Sequence, residues 1–265
     1  MTRAAWVLLA ALLLGSCSLV PQRTLTACAD PNNLPFSNRA GQGFENKLAA
    51  MIAADLHANL HYIWWAQRRG YVRNTLNERM CDFWPGVASN VEMLATSRPY
   101  YRSTYMFVSR ADKNLRGLTL DDPRLKHLRI GVQMVGNDAS NTPPAHALAA
   151  RGIIANIRGY MLYGNYAEPN PPSEIVRAVE RDEVDLALVW GPLAGYFAAR
   201  SPVPLRLEPV TPWFADEQWP MQFDVSVGAQ KDNQKLLKEI DGVLVRRSNE
   251  IRHLLAAYHV PDVER

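Results

Sequence analysis

Few residues in this sequence have the types and spacing that catalysis or metal binding requires. His57 and His61 are four residues apart, as in a zinc-binding helix, but no Glu follows the first histidine, and Asn59-Leu60 breaks the helix. The segment Gly41-Gln42-Gly43 lacks the third glycine of a dinucleotide-binding loop and does not lie at a strand-to-helix turn. The acidic residues form no recognisable acid/base pair. We therefore predict a protein without catalytic, metal or cofactor sites.

The N-terminus has the pattern of an export signal. A short positive start, residues 1–3, precedes an uninterrupted apolar run from Ala4 to Leu14. That run is too short for a permanent transmembrane helix, which needs about 20 residues, and is typical of a signal peptide. It ends in Leu14-Gly15-Ser16-Cys17, which resembles a bacterial lipobox, so residues 1–17 are predicted to be a signal peptide with lipidation at Cys17. The alternative is a plain signal peptide with which Cys17 is removed.

Export changes what the other two cysteines imply. A mature exported domain with two cysteines usually pairs them, so Cys28 and Cys81 are candidates for a disulfide. The alternatives are a buried free thiol and a metal ligand. Neither cysteine has a neighbouring Cys or His at metal-binding spacing, which disfavours the metal.

The charge balance argues against a nucleic-acid partner. The 265 residues include 29 Lys and Arg against 26 Asp and Glu, a formal surplus of +3. The nearest approach to a basic stripe is Arg68, Arg69 and Arg73, and such a run is usually a solvated helix face. No stretch after the N-terminus is long and apolar enough to span a bilayer, so the only membrane contact expected is a lipid anchor at Cys17.

Alternating strand and helix patterns predict an α/β protein with two blocks. Apolar residues of segment 44–57 recur at helical spacing, whereas segment 184–190 is almost continuously apolar, as in a covered parallel strand. Thr142 before Pro143 predicts a helix start, and Gly152 predicts its end. The alternation indicates mostly parallel sheets covered by helices. The other predicted elements are strands at 24–27, 61–65, 83–87, 105–108, 128–133 and 225–229, helices at 70–80 and 173–181, and an amphipathic region at 235–258.

Four short motifs occur in an order that is typical of one known fold. They are Pro35-Phe36-Ser37, Gly43-Phe44-Glu45, Cys81-Asp82 and Arg98-Pro99-Tyr100-Tyr101. This order resembles type 2 solute-binding proteins, the receptors of amino-acid ABC importers. The resemblance implies two α/β lobes joined by two hinge crossings, with the ligand cleft between them. We place the crossings near residues 110 and 205, so that 24–109 and 206–265 form lobe 1 and 110–205 form lobe 2.

Two groups with which such receptors hold an amino acid are missing at the matching positions. In such receptors an Arg clamps the ligand carboxylate, and its position here would fall on or beside Asn90. An acidic residue after a strand of lobe 2 accepts a hydrogen bond from the ligand ammonium, and here that strand is followed by Trp190. A neutral amide and an indole cannot hold a zwitterion. The resemblance therefore implies a cleft that does not bind amino acids.

Longer sequence blocks match a narrower family. The blocks are CADPNNLPFSN (28–38), WWAQRRG (64–70), RPYYRS (98–103), NTPPAHAL (141–148) and VWGPLAGY (189–196). In this order, over nearly the whole chain after the leader, they resemble the quinoprotein-dehydrogenase-associated solute-binding proteins, the J-type component of methanol-oxidation clusters.

This narrower resemblance implies a function and a partner. The implied function is a non-catalytic periplasmic protein that helps a PQQ-dependent, often lanthanide-dependent, alcohol dehydrogenase to mature or become active. The cytochrome c of that enzyme is a further candidate partner. The resemblance also implies that Cys28 pairs with Cys81, because both lie in matching blocks.

The chain departs from the family in two places. Where the family is aliphatic, this chain carries Phe83-Trp84-Pro85, which places two large rings and a missing N–H on a strand beside the cleft. The lipobox is the second departure, because the resemblance implies a soluble periplasmic form.

On the implied fold, candidate cleft residues follow the ends of strands. The amides after the first strand can instead bond their own turn, and Gln67, Arg68 and Arg69 can instead be solvated. Residues 133–142 precede a helix N-terminus, which favours anionic or acceptor groups. The predicted cleft residues are Asn32, Asn33, Phe36, Trp65, Arg69, Tyr100, Gln133, Asn137, Asp138, Asn141, Thr142 and Trp190.

An alternative function is an importer receptor for a small apolar or aromatic ligand. Trp65, Tyr100, Tyr101 and Trp190 could line such a pocket, although aromatics at these spacings are as often core residues. A weaker alternative is an enzyme on this fold, such as a dehydratase.

Overall fold

A computed structural model describes residues 22–135, 141–163, 165–214 and 219–263. The predicted signal peptide with Cys17 and the cleft candidates Asn137 and Asp138 lie outside the described residues. Among the helices of the described residues, none has the length and the apolar run needed to span a bilayer.

The described residues form twelve strands and seven helices. The strands are β1 (Arg23–Ala29), β2 (Asn32–Asn33), β3 (Ser37–Asn38), β4 (Ala58–Trp64), β5 (Phe83–Ala88), β6 (Ala95–Thr96), β7 (Tyr101–Arg110), β8 (Ile130–Met134), β9 (Ile157–Met161), β10 (Leu186–Trp190), β11 (Leu205–Pro209) and β12 (Gln222–Ala229). The helices are α1 (Phe44–Asp55), α2 (Tyr71–Asn74), α3 (Pro143–Ala150), α4 (Glu174–Glu180), α5 (Gly191–Ala198), α6 (Gln234–Arg246) and α7 (Ser248–Ala257).

Ten of the described strands form one mixed sheet in the order β4-β1-β5-β12-β7-β10-β8-β9, with β6 beside β12 and β11 beside β7. Strands β4, β1 and β5 are parallel, as are β10, β8 and β9. Every pair in this sheet that involves β7 or β12 is antiparallel. The predicted α/β class with two parallel blocks is confirmed, and the strands that join the blocks make the whole sheet mixed.

Strand β7 belongs to both halves of the sheet. Its first four residues, ending at Thr104, pair with β12, whereas Tyr105–Arg110 pairs with β10 and β11. We call the half that contains β1, β4, β5, β6 and β12 the first lobe, and the half that contains β8–β11 the second lobe. The change of partners lies inside β7, and the chain returns to the first lobe between β11 and β12. The lobe bounds predicted near residues 110 and 205 stay predictions.

Each lobe has its own buried core. In the first lobe, Phe44, Leu48 and Ile52 lie on one face of α1 at the predicted helical spacing and pack on the sheet with the buried face of α6. In the second lobe, two buried clusters cover the opposite faces of β7, β8 and β10. Burial on both faces explains why the 184–190 segment is almost continuously apolar.

Two of the predicted helices differ in the structure. The helix expected over 70–80 is only the four-residue α2, because the chain leaves helical geometry at Thr75 (φ −126°, ψ −82°). The Thr75 hydroxyl donates to the Tyr71 carbonyl (2.6 Å), a local bond that competes with helix continuation. The amphipathic region at 235–258 is two helices, separated at Arg247.

Cys28 and Cys81 form a disulfide within the first lobe. Their Cα atoms are 5.5 Å apart, and both residues are almost fully buried beside Tyr71 and Leu76. The bond joins β1 to the residue just before Asp82 and β5, and thereby fastens the segment that contains the short α2. The pairing implied by the family resemblance is present.

Replacing both Cys28 and Cys81 with Ala should lower the free energy of unfolding by about 4 kcal/mol, because the bond closes a loop between residues 53 apart in sequence. Urea unfolding of the wild type and the double variant, followed by tryptophan fluorescence, measures this change. A loss below 1 kcal/mol would show that the bond does not constrain the unfolded chain as proposed.

Candidate functional site

The residue that follows β1, Asp30, has a fully buried carboxylate. Its oxygens accept hydrogen bonds from the backbone N–H of Asn32 (2.8 Å) and of Gln67 (2.7 Å), and from the hydroxyl of Tyr166. The Ser37 hydroxyl binds the Asp30 backbone on both sides, accepting from its N–H (3.1 Å) and donating to its carbonyl (2.9 Å). A buried carboxylate is tolerated only with such donors, so these bonds fix the loops around the end of β1.

The start of α1 lies against the Pro35-Phe36-Ser37 motif. The N–H groups of Phe44 and Glu45, which have no partner within the helix, donate to the carbonyls of Pro35 (2.8 Å) and Phe36 (2.9 Å). Gly43 is so close to this segment that a Cβ atom there would lie 2.0 Å from the Phe36 oxygen. The two motifs noted in the sequence therefore contact each other, and glycine is required at the contact.

Glu45 is a buried carboxyl group in the wall of the cleft. The residue is 4% exposed, and none of the described residues donates a hydrogen bond to its carboxyl. Gly86 lies directly beside it, since a Cβ atom there would be 1.9 Å from Glu45 Oε1. Burial, with a smaller contribution from the nearby Asp30, raises the pKa of Glu45 to about 8. At neutral pH the carboxyl is therefore mostly protonated.

A bulge in β5 accommodates this carboxyl. One extra residue, at Pro85-Gly86, interrupts the pairing of β5 with β12. A bulge tolerates a proline because the missing N–H has no ladder partner there, and the Pro85 carbonyl accepts from the Tyr100 hydroxyl (3.0 Å). Of the two large rings in this segment, Phe83 is fully buried in the core and Trp84 lines the cleft. Trp84 is thus the ring of this segment that forms part of the pocket wall, and a pocket shape different from that of the family stays a prediction.

Two adjoining cavities of about 300 Å³ and about 150 Å³ lie between the lobes and share Phe36, Gln67, Leu162 and Trp190. The larger, which we call the aromatic cavity, is lined by Phe36, Glu45, Gln67, Trp84, Gly86, Val87, Ala88, Tyr101, Tyr105, Leu162, Trp190, Phe223 and Val225. The smaller adds Asp30, Asn33, Gln133, Tyr163, Tyr166, Pro172 and Leu193. Six of the lining residues of the aromatic cavity are Phe, Trp or Tyr, so it is suited to an apolar surface.

The second lobe positions Trp190 through Gln133. The Gln133 side-chain oxygen accepts from the Trp190 backbone N–H (3.0 Å), and the Gln133 carbonyl accepts from the Thr142 hydroxyl (2.6 Å). The Trp190 ring centre is 5.3 Å from that of Tyr105 and 5.9 Å from that of Phe223, both at edge-to-face angles. Trp190 therefore contacts residues of both halves of the sheet and forms one wall of the cavity.

Residues 165–170 of the second lobe bind the first lobe across the cleft. The Asn32 side chain donates to the Glu168 carbonyl (2.9 Å) and accepts from the Asn170 N–H (3.0 Å). The Tyr166 hydroxyl donates to Asp30, and the Arg68 guanidinium lies 4.8 Å from the Tyr166 ring centre. We call these interactions the closure contacts, because together they hold the two lobes against each other.

The cation needed to bind the carboxylate of a zwitterion is not present in the described lining. Neither cavity is lined by an Arg or a Lys among the described residues. Asn90 is exposed in a left-handed turn (φ +60°), where its N–H donates to the Thr96 hydroxyl (3.2 Å). Among all the residues that the structure describes, no three His, Cys, Asp or Glu side chains are grouped so that they could hold a metal ion.

The structure brings only some of the predicted cleft residues together. Asn33, Phe36, Gln133 and Trp190 line the cavities, and Asn32 joins the lobes. The others lie elsewhere. Thr142 is buried behind Gln133, and the Asn141 N–H donates to His146 Nε2 (3.2 Å). Trp65 and Arg69 are exposed, and Tyr100 lines a groove on another face with Arg98 and Ile251.

Several residues of the site were not predicted from the sequence. Asp30 and Glu45 lie inside the motifs at 28–38 and 43–45, where an acidic residue next to apolar neighbours could have indicated a buried carboxyl. Tyr166 lies in a loop near Pro169–Pro172 that has no such signal. Other lining residues that were not predicted include Tyr105, Leu162 and Phe223.

Comparisons with known proteins identify relatives over most of the chain, although no protein-family model matches it. Protein MoxJ of Methylorubrum extorquens is 30% identical over 250 residues, covering 90% of this chain and 81% of MoxJ. Protein MoxJ of Paracoccus denitrificans is 30% identical over 258 residues, covering 95% and 94%.

Solved structures agree with this relationship. The periplasmic binding protein XoxJ from Methylobacterium extorquens AM1 matches with a TM-score of 0.74 and 34% identity, covering 91% of this chain and all of XoxJ. An amino acid ABC transporter substrate-binding protein from Streptococcus pneumoniae, bound to L-arginine, has a TM-score of 0.63 at 17% identity and coverages of 91% and 97%. The second likeness shows the fold alone. The fold is that of type 2 periplasmic binding proteins, as predicted.

Replacing Glu45 with Gln should remove a pH dependence of stability. The Glu45 pKa rises from 4.5 to about 8 on folding, so the folded state binds the proton more tightly and the free energy of unfolding falls as pH rises through this range. Between pH 5 and pH 8 this contribution is about 3 kcal/mol. Urea unfolding of the wild type, Glu45→Gln and the exposed control Glu78→Gln at four pH values measures it. Equal pH slopes for the wild type and Glu45→Gln would contradict the assignment.

Replacing Tyr166 with Phe should loosen the closure contacts, because it removes the only donor that Asp30 receives from the second lobe among the described residues. Amide hydrogen exchange at Asn32 and Gln67 should accelerate about 10-fold, in line with the loss of a hydrogen bond to a charged group. Tyr196→Phe, also in the second lobe, is the matched control. Unchanged exchange in Tyr166→Phe would show that closure does not depend on this bond.

Proposed function

This chain belongs to the family of MoxJ and XoxJ periplasmic binding proteins, and from this we propose that it is a non-catalytic accessory protein of a PQQ-dependent alcohol dehydrogenase. The observation that carries the proposal is the similarity of this chain to the two MoxJ proteins and to XoxJ, at 30–34% identity over 90% or more of the chain. The family resemblance points to methanol or another alcohol as the substrate of the partner enzyme. The proposed role is to help that dehydrogenase to mature or become active.

The composition of the cleft supports this role over amino-acid uptake. A receptor for amino acids needs a cation for the ligand carboxylate, and the described lining contains no Arg or Lys. The cleft is also closed by Asp30, Asn32 and Tyr166, which belong to the protein itself. A receptor in which the ligand drives closure takes part of its inter-lobe contact from that ligand, whereas these contacts need none.

The partners and location follow from the same premise. The dehydrogenase is the proposed main partner, and its cytochrome c is a further candidate. We place the protein in the periplasm, held to a membrane by a lipid on Cys17 where the lipobox is processed. No part of this proposal requires a cofactor on the chain.

A second candidate function is an importer receptor for a small apolar or aromatic ligand. The aromatic cavity favours it, because a volume of about 300 Å³ lined largely by rings can surround such a molecule. A small apolar or aromatic ligand needs no cation to bind a carboxylate. This candidate is therefore compatible with a described lining that contains no Arg or Lys.

Deleting the gene should lower the specific activity of the alcohol dehydrogenase in the periplasm, together with its PQQ or metal occupancy. The expected loss is at least several-fold, and a plasmid copy of the wild-type gene should restore it. Activity is divided by the amount of dehydrogenase protein, so that reduced expression is not mistaken for reduced maturation. Unchanged activity and occupancy in the deletion strain would reject the accessory role.

A further inference from the structure

We propose that the aromatic cavity binds a small organic cation with apolar substituents, such as a methylated ammonium group, through the carboxyl of Glu45. This inference goes beyond the accessory role and does not depend on it, because it concerns binding by the chain alone. It assigns a ligand class to the cleft and a binding role to a residue that is buried without a partner.

The first step of the argument is the carboxyl itself. Glu45 is 4% exposed, yet it lines the cavity and receives no hydrogen bond from any described residue. Asp30, the nearby acidic residue, accepts three hydrogen bonds from protein groups. A buried carboxyl without donors is costly unless a partner brings compensating charge or hydrogen bonds. Glu45 is thus a carboxyl in the cavity wall without a hydrogen-bond donor among the described residues.

The second step is the surroundings of this group. The aromatic lining includes Trp84, Tyr101, Tyr105 and Trp190, and aromatic rings attract cations through the negative potential of their faces. Methyl groups around a cationic nitrogen fill an apolar space that a hydrated ammonium would not. Rings and one carboxylate together match the two properties of a methylated ammonium ion, its charge and its apolar surface.

The third step concerns what the cavity excludes. A zwitterion such as a betaine also needs a donor for its carboxylate, and the described lining contains no Arg or Lys. A ligand hydroxyl needs no such cation, because its oxygen can accept a hydrogen bond from a neutral donor. The Trp84 indole N–H is buried without an acceptor among the described residues and is a candidate for this donor. The preferred ligand therefore carries a cation and a hydrogen-bond acceptor but no acid group.

The position of the carboxyl depends on Gly86. A Cβ atom at this position would lie 1.9 Å from Glu45 Oε1, so any side chain here would displace the carboxyl from the cavity wall. The β5 bulge at Pro85-Gly86 is therefore part of the site and not only an irregularity of the sheet.

The groups around Glu45 determine how binding responds to pH. Asp30 follows β1, Tyr71 is in α2, Tyr100 directly precedes β7, and Tyr101 is the first residue of β7. Burial raises the pKa of all three tyrosines, so their hydroxyls stay neutral in the tested range. The cation binds the ionised form of Glu45, so its affinity should rise with pH as this carboxyl loses its proton near pH 8.

The test is isothermal titration of the purified full chain with choline and with 3,3-dimethylbutan-1-ol, which has the same shape but no charge. Choline should bind at least 10-fold more tightly than the neutral alcohol at pH 8.5. Its affinity should rise about 25-fold between pH 6.5 and pH 8.5, following the ionised fraction of the carboxyl. The affinity of the neutral alcohol should not rise. This comparison needs no variant.

Two variants then test the residue. Glu45→Gln should reduce choline affinity at pH 8.5 at least 10-fold and change that of the neutral alcohol less than 3-fold, whereas exposed Glu78→Gln should change neither. Equal binding of both probes, binding of the alcohol alone, or binding of neither would overturn the inference. The dehydrogenase activity of a deletion strain is a separate measurement, so either proposal can fail while the other stands.

Discussion

The buried carboxylate of Asp30 joins three parts of the chain that are far apart in sequence. It follows β1, which lies between β4 and β5, and binds the turn at Asn32, the loop at Gln67 and the hydroxyl of Tyr166 in the second lobe. A fully buried charge is stable only while its donors stay in place, so the loops and the closed cleft are mutually dependent. Asp30 also lines the smaller of the two cavities between the lobes, so it forms part of the site that its hydrogen bonds help to close.

Glu45 is also a buried acidic residue, but its carboxyl receives no hydrogen bond from the described residues. It lies near Asp30, in the same lobe, but its carboxyl meets rings and a glycine where Asp30 meets hydrogen-bond donors. Two acidic side chains of one site thus have different environments. The rigid one holds the fold closed, and the unpaired one gives the cavity its chemical preference.

The mixed sheet explains how the two lobes can be coupled so directly. A single strand, β7, pairs with β12 up to Thr104 and with β10 and β11 from Tyr105 onward. Tyr101 and Tyr105, on either side of this change, both line the cavity, together with Trp190 from β10. The cavity therefore lies where the strand crosses from one lobe to the other, which is where closure of the lobes alters its shape most. An accessory protein that senses a partner by opening, and a receptor that binds a small molecule, would both use this place.

Local patterns in the sequence were sufficient for the α/β class, the family and most elements. Helical spacing predicted α1, Thr142 and Gly152 predicted the ends of α3, and matching blocks predicted the disulfide, because each of these depends on neighbouring residues or on similarity alone. The short α2 and the break at Arg247 were not predicted, since side-chain bonds and packing ended helices that propensity would continue.

Only part of the candidate site could be predicted from the sequence. Asn33 and Phe36 come shortly after β1, and Gln133 and Trp190 lie at the ends of β8 and β10. Strand ends meet at one edge of a sheet, so the order of these residues along the chain was informative. Which acidic residue would be paired, and which left facing the rings, was decided by contacts between residues more than a hundred positions apart, such as Asp30 with Tyr166. A sequence pattern records neighbours along the chain, whereas burial and pairing are properties of the assembled fold.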